Sequence, residues 1–299
     1  MQTPSAPATA SAPCCLFCAS HEHHRSYLPS TDFNGKRFDY LECARCHLIY
    51  LHPMLDDADY AALYDTSYHD EFYFKRAGSF DRQFQAIERH ISGRRLLDYG
   101  CGDGEFLRYA HSRGYECVGV EYHPALVKTL RERLPGIRFE TIDDLWQDSE
   151  QSDFDVIHLG DVFEHLSAPI AVTRDLNGRL KAGGILYAEG PLENNFHLAL
   201  AARKWHFRRR GPNFVATHRP FHTLMTNAHN QRAAFELAGV QTLQFEVDEW
   251  AWPFIANKAD AKSRTDLLGF YIARFSMALS FVPGWGNRFF FLGRKPEER

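Results

Sequence analysis

The chain has 299 residues, 34 Lys and Arg against 38 Asp and Glu, a net charge of -4 and a pI near 6.5. That length can bury one full α/β core and a smaller appendage. The charge balance offers no overall attraction for nucleic acid, which is therefore not the expected partner.

The first stretch, 1–13, is largely Ala, Pro, Ser and Thr. It lacks the basic segment and apolar core of a secretory signal, so a disordered lead-in and a cytoplasmic location are expected. Seven cysteines follow in the chain, among them Cys15 with Cys18 and Cys43 with Cys46, two C-x-x-C pairs. Two such knuckles can close a tetrahedral thiolate site, and without a secretory signal metal binding is a better account than disulfides. The residues between the pairs are too polar to fold on apolar burial alone, the usual situation of a zinc ribbon. Residues 14–54 are thus expected to form a zinc-ribbon-like segment with structural zinc on Cys15, Cys18, Cys43 and Cys46. Cys14 is an alternative to Cys15, while His21, His23, His24 and His47 lie close. Redox-active or unligated thiols are the competing account. Cys101 and Cys117 suit small buried apolar positions.

Residues 55–92 read as a helical lid, with tyrosine-rich turns over 56–73 and a helix over 79–91. Phe80, Phe84, Ile87 and Ile91 fall on one face of that helix. Strands are then predicted at 95–99, 117–121, 137–141, 154–159 and 185–189, alternating with helices at 105–112, 125–134 and 169–180. Such alternation implies a parallel sheet covered by helices on both faces. A helix at 231–238, a strand at 240–247, a helical run at 263–280 and a strand at 288–293 complete seven strands. The apolar stretch from Leu267 to Val282 is interrupted by Arg274 and is too short to cross a membrane. A buried or interfacial helix is expected there, which leaves peripheral membrane contact open.

The loop after the first of these strands reads Asp98-Tyr99-Gly100-Cys101-Gly102-Asp103-Gly104-Glu105. Side chains at the glycines would block backbone approach to a nucleoside and strain at positive φ. The third glycine comes one position earlier than in the G-x-G-x-x-G fingerprint of dinucleotide sites, and Asp103 and Glu105 would repel a diphosphate. They suit S-adenosylmethionine, whose sulfonium and ammonium accompany a phosphate-free nucleoside. Glu121, ending the next strand, can accept hydrogen bonds from both ribose hydroxyls. On these residues the chain resembles a class I S-adenosylmethionine-dependent methyltransferase.

The resemblance implies an α/β fold: a doubly wound, seven-stranded Rossmann-like sheet over 93–299, its last strand antiparallel between two others, with an acceptor insertion at about 191–225. It places Asp98, Gly100, Gly102 and Gly104 on the methionine side of the cofactor and Glu121 at the ribose. Asp143 or Asp144 would meet the adenine, with capping of the helix starting at Leu145 as the alternative. Leu159, Gly160 and Asp161 would line the cofactor site at the end of the fourth strand. A phenol of Tyr64 or Tyr68 would reach the methionine carboxylate, packing being the alternative for both.

The stretch Asp161-Val162-Phe163-Glu164-His165-Leu166 is similar to the D-V-x-E-H-L of small-molecule members. It lacks the Asn/Asp-Pro-Pro with which related enzymes hold the amines of bases or glutamine. Methyl transfer from a sulfonium is an in-line displacement that needs positioning and exclusion of water, and a neutral acceptor also needs a base. His165, His218 and His222 are the candidates, each with a structural role as its alternative. Residues 212–222 resemble the E-H-x-x-Y/F-S segment of zinc-containing sugar C-methyltransferases, with His218 in the base position. Thr217 replaces the family's Glu and His222 its Ser, which puts O-methylation ahead of C-methylation. The run Arg203, Lys204, His206, Arg208, Arg209 and Arg210, with Trp205 and Phe207, suits a phosphate on a nucleotide sugar or lipid-linked glycan, or a solvated turn. The expected function is methylation of a small molecule or glycan precursor. An RNA methyltransferase that grips its substrate with the ribbon and an inactive cofactor-binding module are the alternatives.

Overall fold

The computed structural model describes residues 13–64, 80–147, 152–210, 214–216, 219–251 and 255–297. Most of the lead-in lies outside them. The chain first builds a small sheet from β1 (His23–Arg25), β2 (Ser30–Phe33), β3 (Lys36–Cys43) and β4 (Ile49–His52). Asn34 and Gly35, both at positive φ (49° and 73°), turn β2 into β3. Such a two-residue loop matches the twist of the strands it joins. Helix α1 (Asp57–Leu63) follows, started by a reciprocal cap between Asp56 and Asp59.

Helix α2 (Asp81–Glu88) buries Phe84 and Ile87 on the face that their spacing predicts. The alternating strands and helices come next: β5 (Arg95–Tyr99), α3 (Glu105–Ser112), β6 (Glu116–Glu121), α4 (Pro124–Arg133), β7 (Arg138–Thr141), α5 (Ile142–Gln147), β8 (Phe154–Gly160), α6 (Pro169–Arg179) and β9 (Leu180–Pro191). Helix α7 (Leu198–Arg210) and the short strands β10 (Val215–Ala216) and β11 (Leu224–Met225) precede α8 (Ala228–Leu237), β12 (Gln241–Asp248), α9 (Arg264–Ala278) and β13 (Arg288–Arg294).

The large sheet has the order β12-β13-β9-β8-β5-β6-β7. Its strands β9, β8, β5, β6 and β7 run parallel, and β13 lies antiparallel between β12 and β9. This is the doubly wound, Rossmann-like α/β sheet that the class resemblance implied. Gly119 in β6 lets helix α3 approach closely, since a Cβ there would stand 2.6 Å from both Leu107 and Phe139.

The small sheet is completed by distant parts of the chain: β10 pairs with β2 and β11 with β4. One core runs through both sheets, with Cys15, Phe17, Cys43, Leu48 and Tyr50 buried in the same cluster as Leu97, Ile157 and Phe163. Among the described residues no helix is long and apolar enough to cross a membrane.

Candidate active site

In a doubly wound sheet, ligands lie beyond the carboxyl ends of the parallel strands, and most of the anticipated residues occupy that edge. Gly100, Gly102 and Gly104 have φ of 78°, 56° and 77°, the left-handed region where only glycine is unstrained. A Cβ on Gly100 would stand 2.5 Å from Val162. The loop is tied down from behind, Gly100 and Cys101 donating their N–H groups to Val120 O. Glu121 reaches under it: the N–H groups of Gly102, Tyr122 and His123 donate to its carboxylate at 3.0, 2.7 and 3.4 Å. Burial raises the Glu121 pKa, and these three donors act against that rise.

Asp98 is buried and meets His158 Nδ1 at 2.7 Å. Strand register explains the pair, for Asp98 lies opposite both Gly119 and His158 in the neighbouring strands. The imidazole stacks on Phe106 at 3.7 Å. Sequence reasoning did not single out His158; the one signal was its register with Asp98 across two parallel strands. Leu159 is buried within β8, and Gly160 follows it at the strand's end. Asp161 sits at φ 54° and binds Arg288 of β13 through two hydrogen bonds of 2.7 and 2.9 Å. Helix α5 starts at Ile142, three residues before the expected Leu145, so both aspartates lie in its first turn. Asp144 exchanges hydrogen bonds with Thr141 just ahead of it, a capping box with Thr141 rather than Asp144 in the cap position. Asp143 is exposed on the same turn.

The histidines gather on the acceptor side of this edge. His165 belongs to the 3-10 turn Phe163–His165 after β8, and His222 precedes β11. Their rings stand 4.8 Å apart at 76°. His165 Nδ1 lies 2.7 Å from Phe221 O; a carbonyl only accepts, so Nδ1 carries the proton. His222 Nδ1 donates to Glu193 at 2.6 Å, and Arg203 holds the other Glu193 oxygen at 3.0 Å. Glu164 lies 3.9 Å from His165 Nε2. Ligand-capable atoms of Glu164, His165 and His222 all fall within 4.8 Å of one another.

The charges here are strongly coupled. Burial, reinforced by Asp161, pushes the Glu164 carboxyl up to about 8. Burial and the neighbouring His222 charge push His165 down to about 3. For His222 burial acts downward, but Glu193, Glu164 and Asp161 outweigh it and lift the imidazole to about 9. Glu193 shows the converse: burial acts upward, while His222 and Arg203 hold it down to about 2. Glu164, Glu193 and Arg288 were not anticipated. Glu164 was the most accessible of them to reasoning, since it adjoins His165 and falls one helical turn after Asp161.

Tyrosines join the two halves of the edge. Tyr64 packs 5.5 Å from Tyr122, which adjoins Glu121, and 6.3 Å from His165. Tyr60 donates its hydroxyl to His165 O at 2.8 Å. Tyr68, Thr217 and His218 lie outside the described residues. In the basic run, Arg203 is taken by Glu193, whereas Arg209 lies over Trp205 at 4.6 Å and Arg210 over Phe214 at 4.6 Å.

The cysteines form a second centre. Cys15 and Cys46 sulfurs are 3.5 Å apart, as are those of Cys18 and Cys43, and all four lie within 4.8 Å of one another. A tetrahedron with Zn–S bonds of about 2.3 Å has edges of about 3.8 Å, so the four sulfurs fit that ion. Cys14 is outside the group and turns to Cys15 O. Each knuckle closes in the left-handed region, at Ala19 (φ 54°) and His47 (φ 59°), with Ala19 N–H donating to Cys15 O and His47 N–H to Cys43 O.

Comparison with known proteins agrees with this geometry. Residues 70–244 match a family model described as a methyltransferase domain. A stretch of 115 residues is 34% identical to the ubiquinone biosynthesis O-methyltransferase of Ruegeria pomeroyi, covering 36% of this chain and 45% of that protein. Another of 119 residues is 34% identical to the ribosomal protein L11 methyltransferase of Ralstonia nicotianae, covering 39% of each. The chain thus spans less than half the length of these curated relatives. A solved complex of the Haloferax volcanii Trm112 methyltransferase activator with a methyltransferase superposes with a TM-score of 0.52 at 17% identity, over 74% of this chain and 90% of that one. At that identity the likeness concerns the fold alone.

Proposed function

Because the chain belongs to the methyltransferase-domain family matched over 70–244, we propose that it transfers the methyl group of S-adenosylmethionine to an oxygen of a small molecule or glycan precursor. One observation carries the reading: the Glu121 carboxylate, half-buried beneath a loop of left-handed glycines and bonded to Gly102 N–H at 3.0 Å. When bound, the cofactor supplies a methyl group on a sulfonium, open to in-line displacement.

The residues of the chain then do the positioning. Gly100, Gly102 and Gly104 leave backbone bare where the methionine portion lies, and Asp98, fixed by His158, holds the start of that loop. Glu121 accepts from the ribose hydroxyls. Asp143 takes the adenine side, Asp144 serving the helix cap, while Leu159, Gly160 and Asp161 form the wall between cofactor and acceptor. The Tyr64 ring packs against both Tyr122, the residue after the ribose acid, and His165. On the acceptor side, Glu164, His165 and His222 orient the hydroxyl, and His218 is the base carried by the resemblance to sugar methyltransferases.

The ubiquinone-pathway relative, named as an O-methyltransferase, supports an oxygen acceptor. The exposed arginines Arg208, Arg209 and Arg210 at the end of α7 support an acceptor that bears phosphate. We read the four-cysteine centre as a zinc-ribbon-like element whose structural zinc stiffens the small sheet.

Calorimetry with adenosylhomocysteine tests the reading. The protein should bind it and give no heat with NAD. Glu121→Ala should weaken binding about tenfold or more, the ~1.5–3 kcal/mol of hydrogen bonds to a charged group. A protein that ignores both adenosylhomocysteine and sinefungin would end the proposal.

A further inference from the structure

The cluster of Glu164, His165 and His222 has the composition of a metal site distinct from the four cysteines. Two imidazoles and one carboxylate form the donor set with which proteins hold divalent transition-metal ions while leaving positions open for a substrate oxygen. Both rings are prepared for ligation. Each Nδ1 is committed as a donor, in His165 to a backbone carbonyl and in His222 to the Glu193 carboxylate. Each ring therefore keeps Nε2 as its unprotonated ligand atom when neutral. A second hydrogen bond that fixes tautomer and ring orientation in this way accompanies nearly every metal-bound histidine.

Glu164 supplies the independent observation. The residue is 5% exposed, and its Oε2 has no hydrogen-bond partner. A buried carboxylate oxygen left unpaired costs free energy unless something positive meets it. The neighbouring acids are provided for: Asp161 has Arg288, and Glu193 has Arg203 and His222. The site is also built on fixed backbone. Thr223 donates both its N–H and its hydroxyl to Glu164 O, and Tyr60 donates to His165 O. Ligands at adjacent positions around an ion with bonds of about 2.1 Å stand about 3 Å apart, so rotamer movements of about 1 Å close the three atoms on a cation.

We propose that Glu164, His165 and His222 bind one divalent transition-metal ion of the manganese, cobalt or zinc type, with its open positions facing the methyl acceptor. The binding itself stands on these three residues; the role of holding an acceptor oxygen rests on the methyltransferase reading above. A chelating acceptor with two neighbouring oxygens, such as a catechol or a sugar diol, is the substrate class that fits such an ion best.

Manganese is the probe, because thiolates select softer ions and the cysteine centre, loaded with zinc, leaves it free. The full-length zinc-loaded protein is titrated with Mn2+ and followed by electron paramagnetic resonance, with adenosylhomocysteine binding measured on the same samples. One Mn2+ per chain is expected. Glu164→Gln and His222→Gln should each weaken its binding at least tenfold with adenosylhomocysteine affinity unchanged. Cobalt should give weak d–d absorption without an added thiolate band. Absence of Mn2+ and Co2+ binding to the unaltered protein, or Mn2+ binding untouched by both substitutions, would overturn the proposal whether or not the variants fold well. Failure to bind adenosylhomocysteine would instead strike the methyltransferase reading and leave the metal site standing.

Discussion

The ion pair between Glu193 and His222 makes stability depend on pH in both directions. His222 is held at about 9 against an ordinary 6.5, so its contribution is complete below about 6.5 and lost as pH rises through 9. Glu193 is held at about 2 against 4.5, so its contribution is complete above about 4.5 and lost as pH falls through 2. Without added divalent cation, the melting temperature should be highest between those limits and decline on the alkaline side. Glu193→Gln should flatten the alkaline decline, and an unchanged slope in that variant would show that the pair does not couple as described. That the glycines, Glu121, His165 and His222 would come to one edge of the sheet was readable because each belongs to a short run with a chemical reason for its spacing. Glu193 and Arg288 were not, nor was the pairing of Arg203 with Glu193 in place of a phosphate, because these groups meet only after β9, α7 and β13 have been brought together.

The regular elements followed their sequence patterns closely. Strand β13 is antiparallel between β12 and β9, as the class resemblance implied, and α2 buries the face set by Phe84 and Ile87. Less could be inferred about the small sheet, since β10 and β11 are two-residue strands with no periodicity of their own. They exist because β2 and β4 present edges to them. The knuckles place two residues other than glycine, Ala19 and His47, in the left-handed region, a conformation of about 1 kcal/mol or more that needs outside support. A zinc ion on the four thiolates would give that support. Cys43→Ser should therefore release the zinc and destabilise the protein by on the order of 4 kcal/mol, the range where loss of a metal stands out among single substitutions. Metal analysis and thermal melts of the same sample check this, and full zinc content in the variant would contradict it.

At the level of the complete chain, the two sheets share one interior. Phe17 of the first knuckle meets Phe163 of the histidine-bearing turn edge to face at 6.1 Å. Asn194 and Asn230 donate side-chain hydrogen bonds to His47 O and Cys46 O of the second knuckle. Removing residues 1–54 would bare this apolar surface and strip β11 of its partner. Such a truncation should lose its cooperative melt and most of its solubility. A sharp transition at the temperature of the full chain would show the small sheet to be dispensable. The pairing of Leu224 with Tyr50 and of Met225 with Ile49 also orders events in time. A nascent chain exposes its thiols and early strands to the cell long before the ribosome has made the segment that closes over them. Maturation therefore waits on a late, long-distance closure, the kind of step that slows folding and leaves strand edges open to unwanted neighbours meanwhile.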